Sequence, residues 1–194
     1  MLAVKTQQAK RSGFTLIELM VTMAIGSVLM LIAVPSLTTY RRNADLTSVT
    51  NTLSASINTS RGEALKQGVS AMVVPTDGLV WRNGWTVFVD SDSSRTLNAG
   101  DVILFTQVAV PDYIDVDFVS NSTPALNAII FDASGYARNG LNPANMSLRI
   151  RRNDSAGSAQ FNETRFIIVA RTGRTRVCKP VVTNDPACNA TLPE

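Results

Sequence analysis

The sequence predicts an α+β fold: one long N-terminal helix, with a membrane half and an amphipathic half, packed on an antiparallel β domain. Three observations predict it. Phe14 to Val34 is an apolar run of 21 residues interrupted by one charge, Glu18. Leu46, Val49, Leu53, Ile57 and Ala64 then recur at spacings of three, four, four and seven, the period of a helix face. Beyond Gly68 the pattern turns to short β-rich segments divided by Asn-Gly, Ser-Gly and Thr-Gly turn signals.

The apolar run is the first element. About 20 apolar residues cross a bilayer. Lys5, Lys10 and Arg11 precede the run, and basic flanks stay cytoplasmic, which leaves the bulk of the chain outside the cytoplasm. A secretory signal peptide has an apolar core of about 7–15 residues and a small-residue cleavage pattern. This run is longer and no such pattern follows it. A plain anchor accounts for the length but not for Glu18, because a lone carboxylate in hydrocarbon is costly. A buried core helix of this kind is too one-sided for a chain of 194 residues.

Pro35 closes the apolar run as a helix-kinking residue. The amphipathic stripe resumes after it, with Thr, Ser and Asn expected on much of the opposite face, and Gly68 is a plausible stop. A helix from Phe14 to about Gln67 would run roughly 80 Å. The strand candidates are Ala71–Val74, Trp85–Val89, Val102–Val108, Ile114–Val119, Ala128–Phe131, Met146–Ile150, Phe166–Ala170 and Thr175–Cys178.

The chain has no histidine, which removes Ser-His-Asp and Cys-His catalysis, and it has no phosphate-binding glycine loop. Asp115 and Asp117 sit at strand spacing on an expected solvated face. Nothing calls for an enzyme, a cofactor or a metal. Asp90, Asp92, Ser94 and Asp101 occupy positions 1, 3, 5 and 12 of a twelve-residue window, as in a calcium loop. Position 6, however, is Arg95 where that loop needs glycine, so a polar hairpin loop is the preferred account. Cys178 and Cys188 read as a disulfide closing a small loop, worth about 2–3 kcal/mol; two free buried thiols are the alternative.

Charge is divided along the chain. Residues 76–137 hold eight acids and two arginines, while residues 138–194 hold nine bases and four acids. Such asymmetry can mark an anionic partner or complementary subunit docking. Arg174 and Arg176 are expected on one face of a strand, bracketed by Arg171 and Lys179. Four cations so close together could contact phosphates without reading sequence.

Lys10-Arg11-Ser12-Gly13 followed by Phe14-Thr15-Leu16-Ile17-Glu18 resembles the processing site of type IV pilins and type II secretion pseudopilins. The resemblance implies cleavage between Gly13 and Phe14 by a prepilin peptidase, N-methylation of Phe14, and Glu18 as the assembly residue. It divides the chain into a cleaved leader (1–13), a transmembrane and assembly half of the helix (14–35), an amphipathic half (36–68) and a periplasmic β-rich domain (69–194). Physics supports that role for Glu18. The amine of one subunit's Phe14 can sit against the Glu18 of the next, offsetting the cost of both charges in apolar surroundings. The leader's three basic residues match the formal charge of +3, so the mature chain is neutral.

Trp81-Arg82-Asn83-Gly84-Trp85-Thr86-Val87-Phe88-Val89-Asp90, Phe131-Asp132-Ala133-Ser134-Gly135, Thr172-Gly173-Arg174-Thr175-Arg176 and the Glu63-Ala64 region resemble segments of the GspH/FimT group of minor pilins and pseudopilins. This implies a pilin-like fold and a subunit that initiates or caps a filament anchored in the bacterial inner membrane. The filament is a type IV pilus or a type II secretion pseudopilus. The implied partners are other major and minor pilins or pseudopilins, the peptidase and inner-membrane lipid. In the FimT branch a Gly-Arg-x-Arg motif is associated with DNA binding in transformation, and Gly173-Arg174-Thr175-Arg176 matches it. DNA is therefore the alternative partner, through Arg171, Arg174, Arg176 and Lys179.

Overall fold

The structure is a computed structural model that describes residues 13–120, 126–154, 159–182 and 185–188. Helix α1 spans Leu16–Gln67. The chain divides into two compact units, the first ending at Arg41 and the second starting at Arg42. In the first unit α1 is long and apolar enough to cross a membrane, and its described side chains lie outside any core. Pro35 lies inside the helix, and its carbonyl accepts from the Thr38 and Thr39 hydroxyls at 2.8 and 3.2 Å.

The second unit packs one face of the rest of α1 on two antiparallel sheets. One has six strands in the order β3-β2-β1-β5-β6-β7. These are β1 (Ser70–Pro75), β2 (Trp85–Asp90), β3 (Val102–Gln107), β5 (Ile129–Phe131), β6 (Ala137–Asn139) and β7 (Asn142–Pro143). The other has four, in the order β10-β9-β8-β4. These are β4 (Ile114–Ser120), β8 (Met146–Arg152), β9 (Thr164–Val169) and β10 (Thr175–Cys178). A short helix, α2 (Ala159–Asn162), precedes β9. All eight expected strands are present. The β6–β7 hairpin was not expected, because its strands are three and two residues long and carry no alternating apolar run. Asn139-Gly140 is its turn, with Gly140 at φ 65°.

Leu46, Leu53, Ile57 and Ala64 of α1 are fully buried in one core with Val73, Val87 and Phe131 of the first sheet and Ile114, Leu148 and Ile167 of the second. The stripe predicted from spacing is thus the buried face, and Gly68 ends the helix in the left-handed conformation at φ 68°. The expectation for Thr and Ser needs correcting, since Thr50, Ser56 and Ser60 share the buried face. Small hydroxyl residues let the sheets approach the helix, and two of them are paired. The Thr50 hydroxyl donates to the Leu46 carbonyl at 2.7 Å. The Ser56 hydroxyl donates to the Thr52 carbonyl and accepts from the Trp85 indole N–H, both at 2.8 Å.

That indole contact explains one of the motifs. Trp81-Arg82-Asn83 forms a single 3₁₀ turn that sends both tryptophans inward. Gly84 follows at φ 102°, where a Cβ would stand 2.2 Å from the Gln107 carbonyl oxygen, so no side chain fits. Trp81 stacks on Phe118 of β4 at 5.8 Å and donates to Asn127.

Arg61 explains two more. Its Nε donates to the Gly135 carbonyl at 3.1 Å and its Nη2 to the Thr172 carbonyl at 3.2 Å. It therefore ties α1 to the β5–β6 turn and the β9–β10 hairpin at once. Gly173, at φ 81°, lies so close that a Cβ would be 1.9 Å from the Gly135 oxygen and 2.7 Å from Arg61 Nε. The Ala137 N–H donates to the Arg171 carbonyl at 3.0 Å, which joins the two sheets at the same place.

Ion pairs surround the start of the second unit's helix. Arg152, 5 % exposed, donates to Asp154 at 2.8 and 2.9 Å, to Glu163 at 2.9 Å and to Asn43 at 3.0 Å. Arg42 also pairs with Asp154 and lies 5.0 Å over the Tyr113 ring. Hydrogen bonding to Arg152 first, against a smaller opposing effect of burial, and then to Arg42 holds the Asp154 carboxyl down at about 2.

Two outcomes follow. A carboxyl depressed in the folded state stabilises fully above its ordinary value of 3.8, and that stabilisation is lost as pH falls toward about 2. Thermal unfolding at a series of pH values should therefore show a midpoint falling through this window, and Asp154→Asn should flatten the fall. Gly173→Ala should cost on the order of 2–4 kcal/mol, since it combines a left-handed φ with a backbone clash. Urea unfolding of wild type and variant measures this.

Candidate functional site

The N-terminal candidates lie where α1 begins. Gly13 and Phe14 precede the helix, and Phe14 is 80 % exposed. The Glu18 backbone N–H donates to Thr15 Oγ1 at 3.3 Å. Thr15 is therefore the helix cap and Glu18 the third helical residue, the pattern of a capping box. A carboxylate in the first turn also faces the positive end of the helix dipole. Sequence reading assigned Glu18 to contacts between subunits; within one subunit it is already favoured at this position.

The C-terminal candidates gather on one hairpin. The turn from β9 to β10 is closed by the Gly173 N–H to the Ala170 carbonyl at 2.8 Å and the Ala170 N–H to the Arg174 carbonyl at 2.9 Å. Arg174 therefore stands in the turn, one residue before β10, and only Arg176 of the pair is on the strand. Arg171, Arg174 and Lys179 are exposed. Arg176 is half-buried, its Nη1 donating to the Ala187 carbonyl at 2.6 Å. That carbonyl belongs to the loop closed by the Cys178–Cys188 disulfide, whose Cα atoms are 5.4 Å apart. Asp185 orders the loop by accepting from the Val181 and Ala187 N–H groups, each at 3.0 Å.

Part of the division of charge along the sequence is paired in the fold. Strands β4 and β8 pair so that Asp117 faces Arg149 and Asp115 faces Arg151. Arg149 reaches Asp117 at 2.6 Å, and Arg151 and Arg82 reach Asp115 at 3.5 and 3.6 Å. Arg138 meets Asp132 at 2.6 Å. Asp115 and Asp117 are thus not on a simply solvated face but form a cross-strand ladder, worth roughly 0.2–1 kcal/mol per pair. Asp115, Asp117 and Asp132 of the acidic half are thus paired with arginines of the basic half, and Arg171, Arg174, Arg176 and Lys179 lie together on the hairpin.

Asp90, Asp92 and Asp101 also converge, with carboxylate oxygens within 4.8 Å of one another. Backbone groups already occupy them. Asp90 accepts from the Ser94 and Arg95 N–H groups at 3.0 and 3.1 Å, Asp92 from Ser94 at 3.0 Å, and Asp101 from Ser91 and Asn98 at 3.1 and 2.9 Å. Burial raises the Asp90 pKa, with those N–H groups opposing. Arg95 takes φ 61° at the position where a calcium loop has glycine. The segment is built as a self-bonded polar loop between β2 and β3.

Arg61 was missed by sequence reading. Its only signal was its place on the apolar stripe, four residues after Ile57 in the gap before Ala64. The acceptors that hold it are backbone carbonyls, which no side-chain pattern reveals.

Comparison with known proteins gives a consistent picture. A family model described as type II transport protein GspH matches residues 49–173, and a prokaryotic N-terminal methylation motif matches residues 8–34. No curated protein matches. Two crystal forms of the Pseudomonas aeruginosa type IV minor pilin FimU resemble the structure, with TM-scores of 0.53 and 0.50. They are 16 % and 17 % identical, cover 73 % and 70 % of this chain, and are each covered over 93 % of their own length. The minor pseudopilin EpsH of the Vibrio cholerae type 2 secretion system gives a TM-score of 0.49 at 15 % identity, over 70 % of this chain and 98 % of that one. The FimU likeness establishes the pilin-like fold, and the family model covers well over half of the chain: this protein belongs to the GspH family of minor pilins and pseudopilins.

Proposed function

We propose that this chain is a minor subunit that initiates or caps a helical filament anchored in the bacterial inner membrane, either a type IV pilus or a type II secretion pseudopilus. The observation that carries the reading is Glu18, the single charge in the apolar run Phe14 to Val34, which lies within the match to the N-terminal methylation motif. Prepilin peptidase removes residues 1–13 and Phe14 is N-methylated. The helix to Pro35 lies in the membrane once, and the β-rich unit is periplasmic. The freed amine of Phe14 pairs with the Glu18 of a neighbouring subunit, and the pair sets the axial offset between them. Each ion compensates the other where neither could be solvated. The work of the chain is assembly, and no step of it is catalytic.

A second reading has one observation in its favour. Arg171, Arg174 and Lys179 stand exposed together on one disulfide-braced hairpin. That patch suits a phosphate backbone, contacted without base reading.

Glu18→Ala should leave processing intact and remove the chain from filaments. Immunoblots of sheared filaments and of membranes measure both, and normal incorporation would contradict the reading. For the second reading, the detergent-solubilised chain should retard duplex DNA at about 50 mM salt, and Arg171→Ala with Arg174→Ala and Lys179→Ala should abolish this. Absence of retardation by the wild-type chain would dismiss it.

A further inference from the structure

Four strands form the edges of the two sheets: β3 and β7 in the first, β10 and β4 in the second. Three carry a charge, a proline or a covalent tie, which stop an edge from recruiting another strand. β7 is two residues long and ends in Pro143. β4 carries Asp115 and Asp117. β10 carries Arg176, and its Cys178 is bonded to Cys188 of the terminal loop. β3 reads Val102-Ile103-Leu104-Phe105-Thr106-Gln107, without charge or proline. Its one irregularity is a bulge, since Val87 opposes Phe105 and Phe88 opposes Ile103, leaving Leu104 as the extra residue. A bulge twists an edge but adds no charge to it. Val102 and Ile103 are 51 % and 54 % exposed.

Ile103 also ends an apolar row that is buried across the three strands beside it. The register runs from Ile103 to Phe88, Met72 and Ile130 across β3, β2, β1 and β5. The last three are at most 2 % exposed. A strand added outside β3 would set an apolar residue beside Ile103, continue the row, and satisfy the outer backbone groups of the edge. The loop that leads into β3 fixes the charge of the newcomer. It holds Asp90, Asp92 and Asp101 against Arg95, and Asp92 is exposed. Two copies of β3 paired antiparallel would set this acidic loop against Gln107 and Val108, which offer no cation, so a second copy is a poor match.

We propose that β3 is a docking edge for an extended segment of a different subunit of the same filament, apolar opposite Ile103 and carrying a lysine or arginine at the end that meets Asp92 and Asp101. This rests on the filament reading above. The partner strand extends the first sheet by one, main-chain bonds supply affinity, and the charge at its end selects direction.

The test places a photocrosslinking amino acid at Ile103 in the full chain, in the cells that make it. Leu79, which is 77 % exposed, is the off-edge control, and Leu31 in the apolar run is the assembly control. Mass spectrometry of the Ile103 adduct should identify a second, different filament subunit, linked through an extended peptide that contains lysine or arginine. Asp92→Lys should abolish that adduct, and Leu79 should give none. Adducts from Leu31 without any from Ile103 would overturn the docking edge and leave filament membership standing. Adducts from neither position would overturn both. An adduct joining two copies of this chain, or one that survives Asp92→Lys, would overturn the proposed partner.

Discussion

One buried helix face organises the globular unit. Leu46, Leu53, Ile57 and Ala64 are covered from both sheets, and each large side chain there stabilises by about 1.5–3 kcal/mol. Apolar burial sets the face but not the register, since it is non-directional. The polar residues on or beside the face supply direction. Ser56 takes the Trp85 indole, Arg61 holds two turn carbonyls, and Asn43 meets Arg152. Each contact reaches a different part of the β structure. A sheet that slid along α1 would leave buried donors unpaired, at a cost of about 1–3 kcal/mol for each.

The functional candidates depend on this frame in different ways. The β9–β10 hairpin is positioned from beneath by Arg61 and from the side by the disulfide loop. Its glycine serves packing, because Gly173 has no room for a side chain. The Gly-Arg-x-Arg pattern therefore has two separable parts: a glycine the fold requires, and cations the fold leaves exposed. The same division applies at Glu18. Its place in the first helical turn is favourable within one chain, and its carboxylate remains available to a neighbour.

Much of this was legible in the sequence, for a physical reason in each case. The membrane run, the amphipathic stripe and the turn glycines are local patterns, and local patterns survive as local structure. Ion pairing was not legible, because the partners of Asp115 and Asp117 are more than 30 residues away, and only strand register brings them together. The acidic and basic halves suggested partners outside the chain, yet Arg138, Arg149 and Arg151 of one pair with Asp132, Asp117 and Asp115 of the other. The polar residues on the buried stripe were misplaced because hydroxyls read as solvent-facing. They are tolerated inside because the helix backbone or an indole satisfies two of them.

The function proposed for this chain requires that it be a processed and assembled subunit. Its most direct test is the intact mass and N-terminal chemistry of the chain recovered from purified filaments or pseudopili. The expected product is a chain that begins at Phe14, lacks residues 1–13 and carries one added methyl group on the terminal nitrogen. A chain that retains residues 1–13, or one absent from filaments while abundant in membranes, would contradict the proposed function.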